Sequence, residues 1–547
     1  MTAKRKFSTA SGSSRSRRIS RHRIVAPSVT RVSERDERRA ERRLVIIPNA
    51  GLEAANAPHA ATVLAPAVAV SLTASRAVRG LSTLLSKAKA SIEPLFTETQ
   101  LMPPFPGVMS EVRTASANVA APGVALGVNF DVNAAPPADL GIYQLVSAPD
   151  EQLEDLAADL IAHRLVSAAY IDPTPSLPGT LPRRAVRPWV RSSKRAAATA
   201  PGAATPDFSA LQGYLRASPA GVDAVWAQAQ PGGRGDGVSI VDIEGGWCLD
   251  HEDLVSARVG LVGGVSQPEA YWRHHGTAVV SELVGGDNGI GVTGIVPNAR
   301  VSVRSHTPGG AARAILAAGK LLQPGDIMLL EMHQPGPRFD FANRSDQRGF
   351  ISVEWWPANF AAISYAVSRG IIVVGAAGNG EEDLDDPLYS IAPRTAPNDF
   401  GPDWVNPFDR TRRDSGSIFV GAGAPAGGDF GLERSRLKFS NYGALIDAQG
   451  WGTGVTACGY GDLQGGSEQR FYTANFGGTS SASPIVVGAL AAVQGIRRAR
   501  GKPPLTPAQA RFLLQSCGAA QQGTSASPLT QRIDNLPDIG AMVAAMS

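Results

Sequence analysis

The chain has 547 residues, of which 43% are hydrophobic and 18% charged, with a formal net charge of +4. That length and balance supply more than one globular domain and exclude a mainly disordered or fibrous chain. Three cysteines exclude a disulfide framework, although one bridge among them stays open, and no Cys/His grouping has zinc-like spacing.

Residues 1–43 hold 14 Lys/Arg against 4 Asp/Glu. The basic character therefore belongs to this leader, and the rest of the chain is net acidic. The leader is Ser/Arg-rich and aperiodic, so it is expected to be a disordered basic tail. No aromatic residues interleave with its cations, which argues against a nucleic-acid-binding arm. It shows no apolar core of a secretory signal, and the compartment is left open. The stretch from Ala60 to Ala74 is apolar but interrupted by Pro66. It is shorter than the roughly 20 residues a helix needs to cross a bilayer, and no membrane span is expected.

Residues 44–175 read as a small α+β domain. Leu44–Ile47, Gly141–Val146 and Val166–Ile171 have strand character, Ser71–Lys89 can form a helix, and Leu153, Leu156, Leu160 and Ile161 mark an amphipathic helix from Asp150 to Arg164. The order approaches β-α-β-β-α-β. Residues 176–207 are rich in Pro, Ala and Arg and read as an exposed linker open to proteolysis.

From residue 208 to 547 apolar strands alternate with helices. Strands are expected at Val238–Ile243, Ala299–Val303, Asp326–Glu331, Ile371–Ala376 and Ser417–Gly421. Helices are expected at His275–Leu283, Gly310–Leu322, Ala358–Arg369, Ser480–Arg498 and Pro507–Gln515. This alternation predicts an α/β fold, a doubly wound, mostly parallel sheet with helices on both faces. Functional residues in such sheets collect at the carboxyl ends of the strands.

Four residue types fall there. Asp242 ends a strand, with Glu244 and Asp250 as competing acids in the same loop. His275 opens a helix, followed by Gly-Thr, with His274 beside it; an imidazole titrating near neutrality suits a general base. Asn379 stands in a Gly-Asn-Gly turn after a buried strand, where its amide can donate to an anion. Ser480 stands in Gly478-Thr479-Ser480, at the N-terminus of an apolar helix whose free N–H groups favour negative charge. A second Gly-Thr-Ser at 523–525 is followed by Pro528-Leu529-Thr530 rather than an apolar helix, and Ser525 is set aside.

In the order Asp, His, Asn, Ser, with Gly289–Ala299, Phe439–Gly443 and His251-Glu252-Asp253-Leu254 between them, residues 208–547 resemble the subtilases, the subtilisin-like serine proteases. The resemblance implies a triad of Asp242, His275 and Ser480, with Asn379 in the oxyanion hole and His333, Gly336 and Gly378 flanking the substrate. The loop Asp242-Ile243-Glu244-Gly245-Gly246-Trp247 departs from the family's Asp-Thr-Gly, with two extra residues before His251. The resemblance further implies a serine endopeptidase acting on polypeptides, made as a self-processing zymogen. Residues 44–175 would be its propeptide and intramolecular inhibitor, cut off within the linker. Catalysis would need no cofactor. The acidic run Glu381, Glu382, Asp383, Asp385 and Asp386 reads either as a rim favouring Lys or Arg in the substrate or as a structural calcium loop. The alternative to an active protease is a catalytically silent subtilase-like module that binds proteins.

Overall fold

The computed structural model describes residues 42–49, 72–96, 140–179 and 204–546. Most of the leader, and linker residues 180–203, lie outside them. The N-terminal elements are β1 (Arg43–Pro48), α1 (Leu72–Lys87), β2 (Ser91–Pro94), β3 (Gln144–Ser147), α2 (Leu153–Ile161) and β4 (Val166–Asp172). The strands pair antiparallel in the order β4-β1-β3-β2.

Successive side chains of a strand point to opposite faces, and here both faces are covered. Leu44 and Ile46 of β1 pack with Leu81, Leu85, Leu156 and Leu160 of the two helices. Val45, with Leu145, Tyr143 and Tyr170, packs instead on the second half of the chain. That is why β1 reads as an unbroken apolar run.

The second half is built on β5 (Ser239–Glu244), β6 (Gly260–Gly263), α3 (Ala270–Val284), β7 (Arg300–Ser305), α4 (Gly310–Gly319), β8 (Ile327–Leu330), α5 (Pro357–Ser368), β9 (Ile372–Ala376), β10 (Ile418–Gly423), β11 (Ala448–Trp451), α6 (Thr479–Ala499) and α7 (Pro507–Ser516). Its seven strands run parallel in the order β11-β10-β9-β8-β5-β7-β6. Alternate residues feed two cores. Ile240, Leu329, Val374 and Val420 meet α3 and α6 on one face. Val241, Met328, Val373 and Phe419 meet α4 and α5 on the other. The fold is α/β, as the alternation of strands and helices predicts.

Helix α6 is apolar on all sides because it runs through the core. Among the described residues it is the one helix long and apolar enough to cross a membrane, and its apolar stretch is buried inside the protein. Helix α3 begins five residues before His275, so this histidine sits inside the helix rather than at its start. The short hairpin Arg394–Thr395/Asn398–Asp399 adds to β4 and extends the N-terminal sheet. The sheet also covers α4 and α5. Tyr170 Oη accepts the Ala358 N–H at 3.1 Å, and Tyr143 Oη donates to Pro357 O at 3.3 Å. Burying an apolar side chain contributes about 1.5–3 kcal/mol, against about 1 kcal/mol net for a hydrogen bond. Val45, Leu95, Phe96, Leu145 and Tyr170 therefore supply most of what holds the two parts together.

Candidate active site

Asp242 and Glu244 have the same parity on β5 and face α3. Asp242 lies opposite Val303 and Leu329 inside the sheet, while Glu244 lies opposite Ser305 at the strand's carboxyl end. Glu244 Oε2 is 2.8 Å from His275 Nδ1. Asp242 Oδ2 instead accepts the Trp247 indole N–H at 2.9 Å. The structure thus corrects the expected acid: the carboxylate on the imidazole is Glu244, one pleat further along the strand. The loop after β5 brings the Trp247 indole N–H back onto Asp242 Oδ2. Gly276 admits this ring, since a Cβ there would fall 2.5 Å from Trp247.

Asp242, Glu244 and His275 are fully buried. Burial pushes the Asp242 carboxyl up to about 7, against the opposing pull of the Trp247 N–H. It raises Glu244 well above the usual carboxylate range, helped by the nearby Asp242 and Glu331. It lowers His275 to about 3. Burial is the first cause of all three shifts.

Ser480 is the second residue of α6, and Gly478 before it has φ +113°. Asn379 follows β9. Its Oδ1 accepts from Thr479 N at 3.0 Å and lies 3.1 Å from Thr479 Oγ1. This turns Nδ2 outward, where it donates to Gln347 Oε1 at 3.0 Å and to Pro178 O at 2.6 Å. The Ser480 N–H points to the same Pro178 oxygen at 3.3 Å. Ser480 Oγ and His275 Nε2 are both buried without a hydrogen-bond partner.

The stretch after β4 occupies the cleft. Ser176 and His333 exchange backbone hydrogen bonds, N to O at 3.0 Å and O to N at 3.1 Å. Leu177 is fully buried, and its carbonyl accepts from Gln347 Nε2 at 2.9 Å. Gly179 bridges to Gly478 and lies so close to His275 that a Cβ on it would be 2.6 Å from Cδ2 and 3.0 Å from Nε2.

Among the expected substrate-flanking residues, His333 pairs with Ser176 in the stretch after β4, and Gly378 donates its N–H to Thr479 Oγ1 at 3.2 Å. Gly336 pairs with Gly349 instead, and Gln334 reaches the stretch after β4, donating to Pro173 O at 2.5 Å. His333 Nδ1 accepts from Asn379 N at 3.3 Å. Burial, aided by the nearby His275, lowers its ring to about 3. Sequence reasoning does not find Gln347 or the orienting role of Thr479. Thr479 had a signal in its place beside the serine, whereas Gln347 lies in a loop with no pattern around it.

Residues 263–527 match the model of the subtilase family. This region is a subtilase domain. The match begins after β5, so the strand carrying Asp242 and Glu244 falls outside it. Subtilisin NAT of Bacillus subtilis subsp. natto is 26% identical over 310 residues, covering 55% of this chain and 66% of that protein. An intracellular serine protease of Paenibacillus polymyxa is 26% identical over 295 residues, covering 52% of this chain and 73% of that protein. The chain thus spans just under two thirds of the length of the subtilisins it matches. Among solved structures, fervidolysin from Fervidobacterium pennivorans, a keratinolytic enzyme related to subtilisin, is similar with a TM-score of 0.45 and 15% identity, covering 74% of this chain and 56% of its own. The prenylagaramide maturation protease PagA has a TM-score of 0.39 and 18% identity, covering 60% of this chain and 98% of its own.

In the subtilase domain three of the five acids in the run after Asn379 face cations. Arg338 Nε donates to Glu382 at 2.7 Å and its Nη2 to Asp386 at 2.5 Å. Glu381 faces Arg348 at 3.6 Å and Lys438 at 3.5 Å, and Asp385 accepts the Ala444 N–H at 2.9 Å. Among the described residues no three His, Cys, Asp or Glu side chains are grouped to hold a metal ion. Cys248, Cys458 and Cys517 are all unpaired. The second Gly-Thr-Ser lies in a surface loop, with Ser525 exposed.

Proposed function

We propose that the protein is a serine endopeptidase made in a self-inhibited form, with Ser480 as nucleophile, His275 as general base and Glu244 as the acid that orients the imidazole. The observation that carries this reading is the seat of the Pro178 carbonyl, which accepts from both Asn379 Nδ2 and Ser480 N. Two donors converging on one carbonyl oxygen beside an unpaired serine hydroxyl form an oxyanion hole. Glu244 replaces the usual aspartate without changing the logic. A carboxylate on Nδ1 holds the tautomer that leaves Nε2 free to take a proton, and stabilises the imidazolium that results.

Polypeptides are the substrate class, because the cleft already binds an extended chain by backbone pairing at Ser176. The N-terminal sheet acts as the intramolecular inhibitor, since its last strand, β4, runs directly into the segment that fills the cleft. The catalytic steps draw only on protein groups and water.

A silent binding module is favoured instead by the unusual loop after Asp242 and by the lack of a hydrogen bond between Ser480 Oγ and His275 Nε2. Labelling with a fluorophosphonate separates the two readings. Covalent labelling of the full chain after incubation, lost in Ser480→Ala, is the expected result. Absence of labelling once the N-terminal segment has been displaced from the cleft would overturn the protease reading.

A further inference from the structure

The cleft holds one peptide in one register, and that register singles out one bond. We infer that the bond cut in self-processing is Pro178–Gly179, and that the enzyme prefers an apolar residue, proline and glycine across the cleavage point. The inference rests on the serine protease reading above and adds the bond and the substrate class to it.

The carbonyl in the oxyanion hole identifies the residue on the acyl side. It belongs to Pro178, with Asn379 Nδ2 at 2.6 Å and Ser480 N at 3.3 Å. The next residue identifies the leaving amine. Gly179 packs against the His275 ring on its Nε2 side, where a proton must be delivered. Ser480 Oγ adds to the Pro178 carbonyl carbon and gives its proton to His275 Nε2. The carbon–nitrogen bond to Gly179 then breaks, and the same proton passes to the Gly179 nitrogen, which becomes a free amino terminus. Water hydrolyses the Pro178 ester, leaving a carboxylate on Pro178 and the hydroxyl on Ser480.

Each of the three positions has a physical reason for its side chain. Leu177 is fully buried, so a polar residue there would lose its hydration without a partner. Pro178 has no N–H, and its own ring holds φ near −65°, so the chain enters the site with little conformational freedom left to lose. Gly179 has no room for a Cβ on the His275 side. Gly478 is matched to this arrangement, since a Cβ on it would run into the Pro178 carbonyl.

The basic linker offers a direct rival, because Arg183-Arg184 lies only four residues beyond Gly179. Full-length protein and Ser480→Ala should be incubated side by side, and the products read by intact mass and N-terminal sequencing. The expected mature chain begins at Gly179 and is absent from Ser480→Ala. A Ser480-dependent cut at Arg183, Arg184 or any other bond overturns the inference while leaving the protease reading intact. Fluorophosphonate labelling without any cut also overturns it. Loss of both labelling and cutting overturns the protease reading itself.

A second measurement avoids any folding defect in a variant chain. A peptide spanning Asp172–Arg184 is added to the processed enzyme, alongside versions carrying Gly179→Val or Pro178→Lys. Cleavage after Pro178 in the parent peptide, slowed at least 100-fold by Gly179→Val and at least tenfold by Pro178→Lys, is expected. Faster cleavage of the Pro178→Lys peptide would overturn the assignment of proline to the acyl side.

Discussion

Glu244 Oε2 lies 2.8 Å from His275 Nδ1, and both side chains are closed off from solvent. Asp242, two residues earlier on the same strand face, donates nothing to the imidazole and holds Trp247 instead. The two acids should therefore respond unequally to substitution. Glu244→Gln is expected to lower kcat by about 10³–10⁴, because a neutral amide no longer secures the required tautomer. Asp242→Asn keeps an acceptor for the indole and touches no reacting atom. It should stay within about tenfold of the parent, the size of one ordinary hydrogen bond. Steady-state hydrolysis of a peptide substrate by the two variants decides between the carboxylates, and a larger loss for Asp242→Asn would reverse the assignment.

The same aspartate sets a pH dependence of stability. Burial holds its carboxyl protonated up to about 7, whereas in the unfolded chain it ionises near its ordinary value. Between those two pH values the folded state binds more protons than the unfolded state, so the Asp242 contribution to stability falls as pH rises. Asp242→Asn removes that loss. Measured in the Ser480→Ala background to prevent self-cleavage, the variant should match its parent near pH 4 and exceed it at pH 8. The gain should be on the order of 2–4 kcal/mol, from about 1.4 kcal/mol per pKa unit. Equal melting temperatures at pH 8 would show that Asp242 is ionised in the fold.

Much of the architecture is legible in the chain because parallel strands buried on both faces must be continuously apolar, as at Ile327–Leu330 and Ile372–Val374. Of the seven strands of the parallel sheet, β6 and β11 escape. The first is a glycine-bounded edge with Leu261 and Val262 exposed, and the second, Ala448-Gln449-Gly450-Trp451, has no apolar run. His275, Asn379 and Ser480 are legible because each sits in a local glycine-marked turn or motif. The acid is not, since Asp242 and Glu244 share a strand face and only the return of Trp247 decides between them. The placement of Pro178 is a tertiary fact, because Ser480 lies about three hundred residues further along the chain and no local pattern joins the two.

Asn379 gives the clearest test of the oxyanion cradle. Its Nδ2 makes the shortest contact to the seated carbonyl. Asn379→Ala should lower kcat by about 10²–10³ with little change in KM, the size found for one such donor in a subtilisin. Thr479→Val keeps the backbone N–H that holds Asn379 Oδ1 and removes the hydroxyl's contacts with Asn379 Oδ1 and the Gly378 N–H. A loss of about thirtyfold or less in kcat is expected, as for two net hydrogen bonds of about 1 kcal/mol each. If Thr479→Val proves as damaging as Asn379→Ala, the hydroxyl has a role beyond orienting the amide.

Release of the N-terminal sheet should depend on Arg313, a residue of α4 remote from the chemistry. Its Nε donates to Leu95 O at 2.9 Å, and its Nη2 reaches Glu93 at 2.8 Å and Pro94 O at 3.1 Å. The side chain is only partly covered, so the Glu93 pair is screened by water and adds little. The bonds to the two carbonyls do more, because they fasten the end of β2 beside the buried Leu95 and Phe96. Arg313→Ala should weaken the hold of the N-terminal part by about 1–2 kcal/mol, which shortens its residence on the enzyme about 5- to 30-fold. The apolar contacts of Val45, Leu145 and Tyr170 remain, so folding of the full chain should be kept. In a time course of peptide hydrolysis after the chain is cut, the lag before full activity should shrink by that factor, while the final rate stays the same. An unchanged lag would place the barrier to release in the seated segment 173–179 rather than in the sheet.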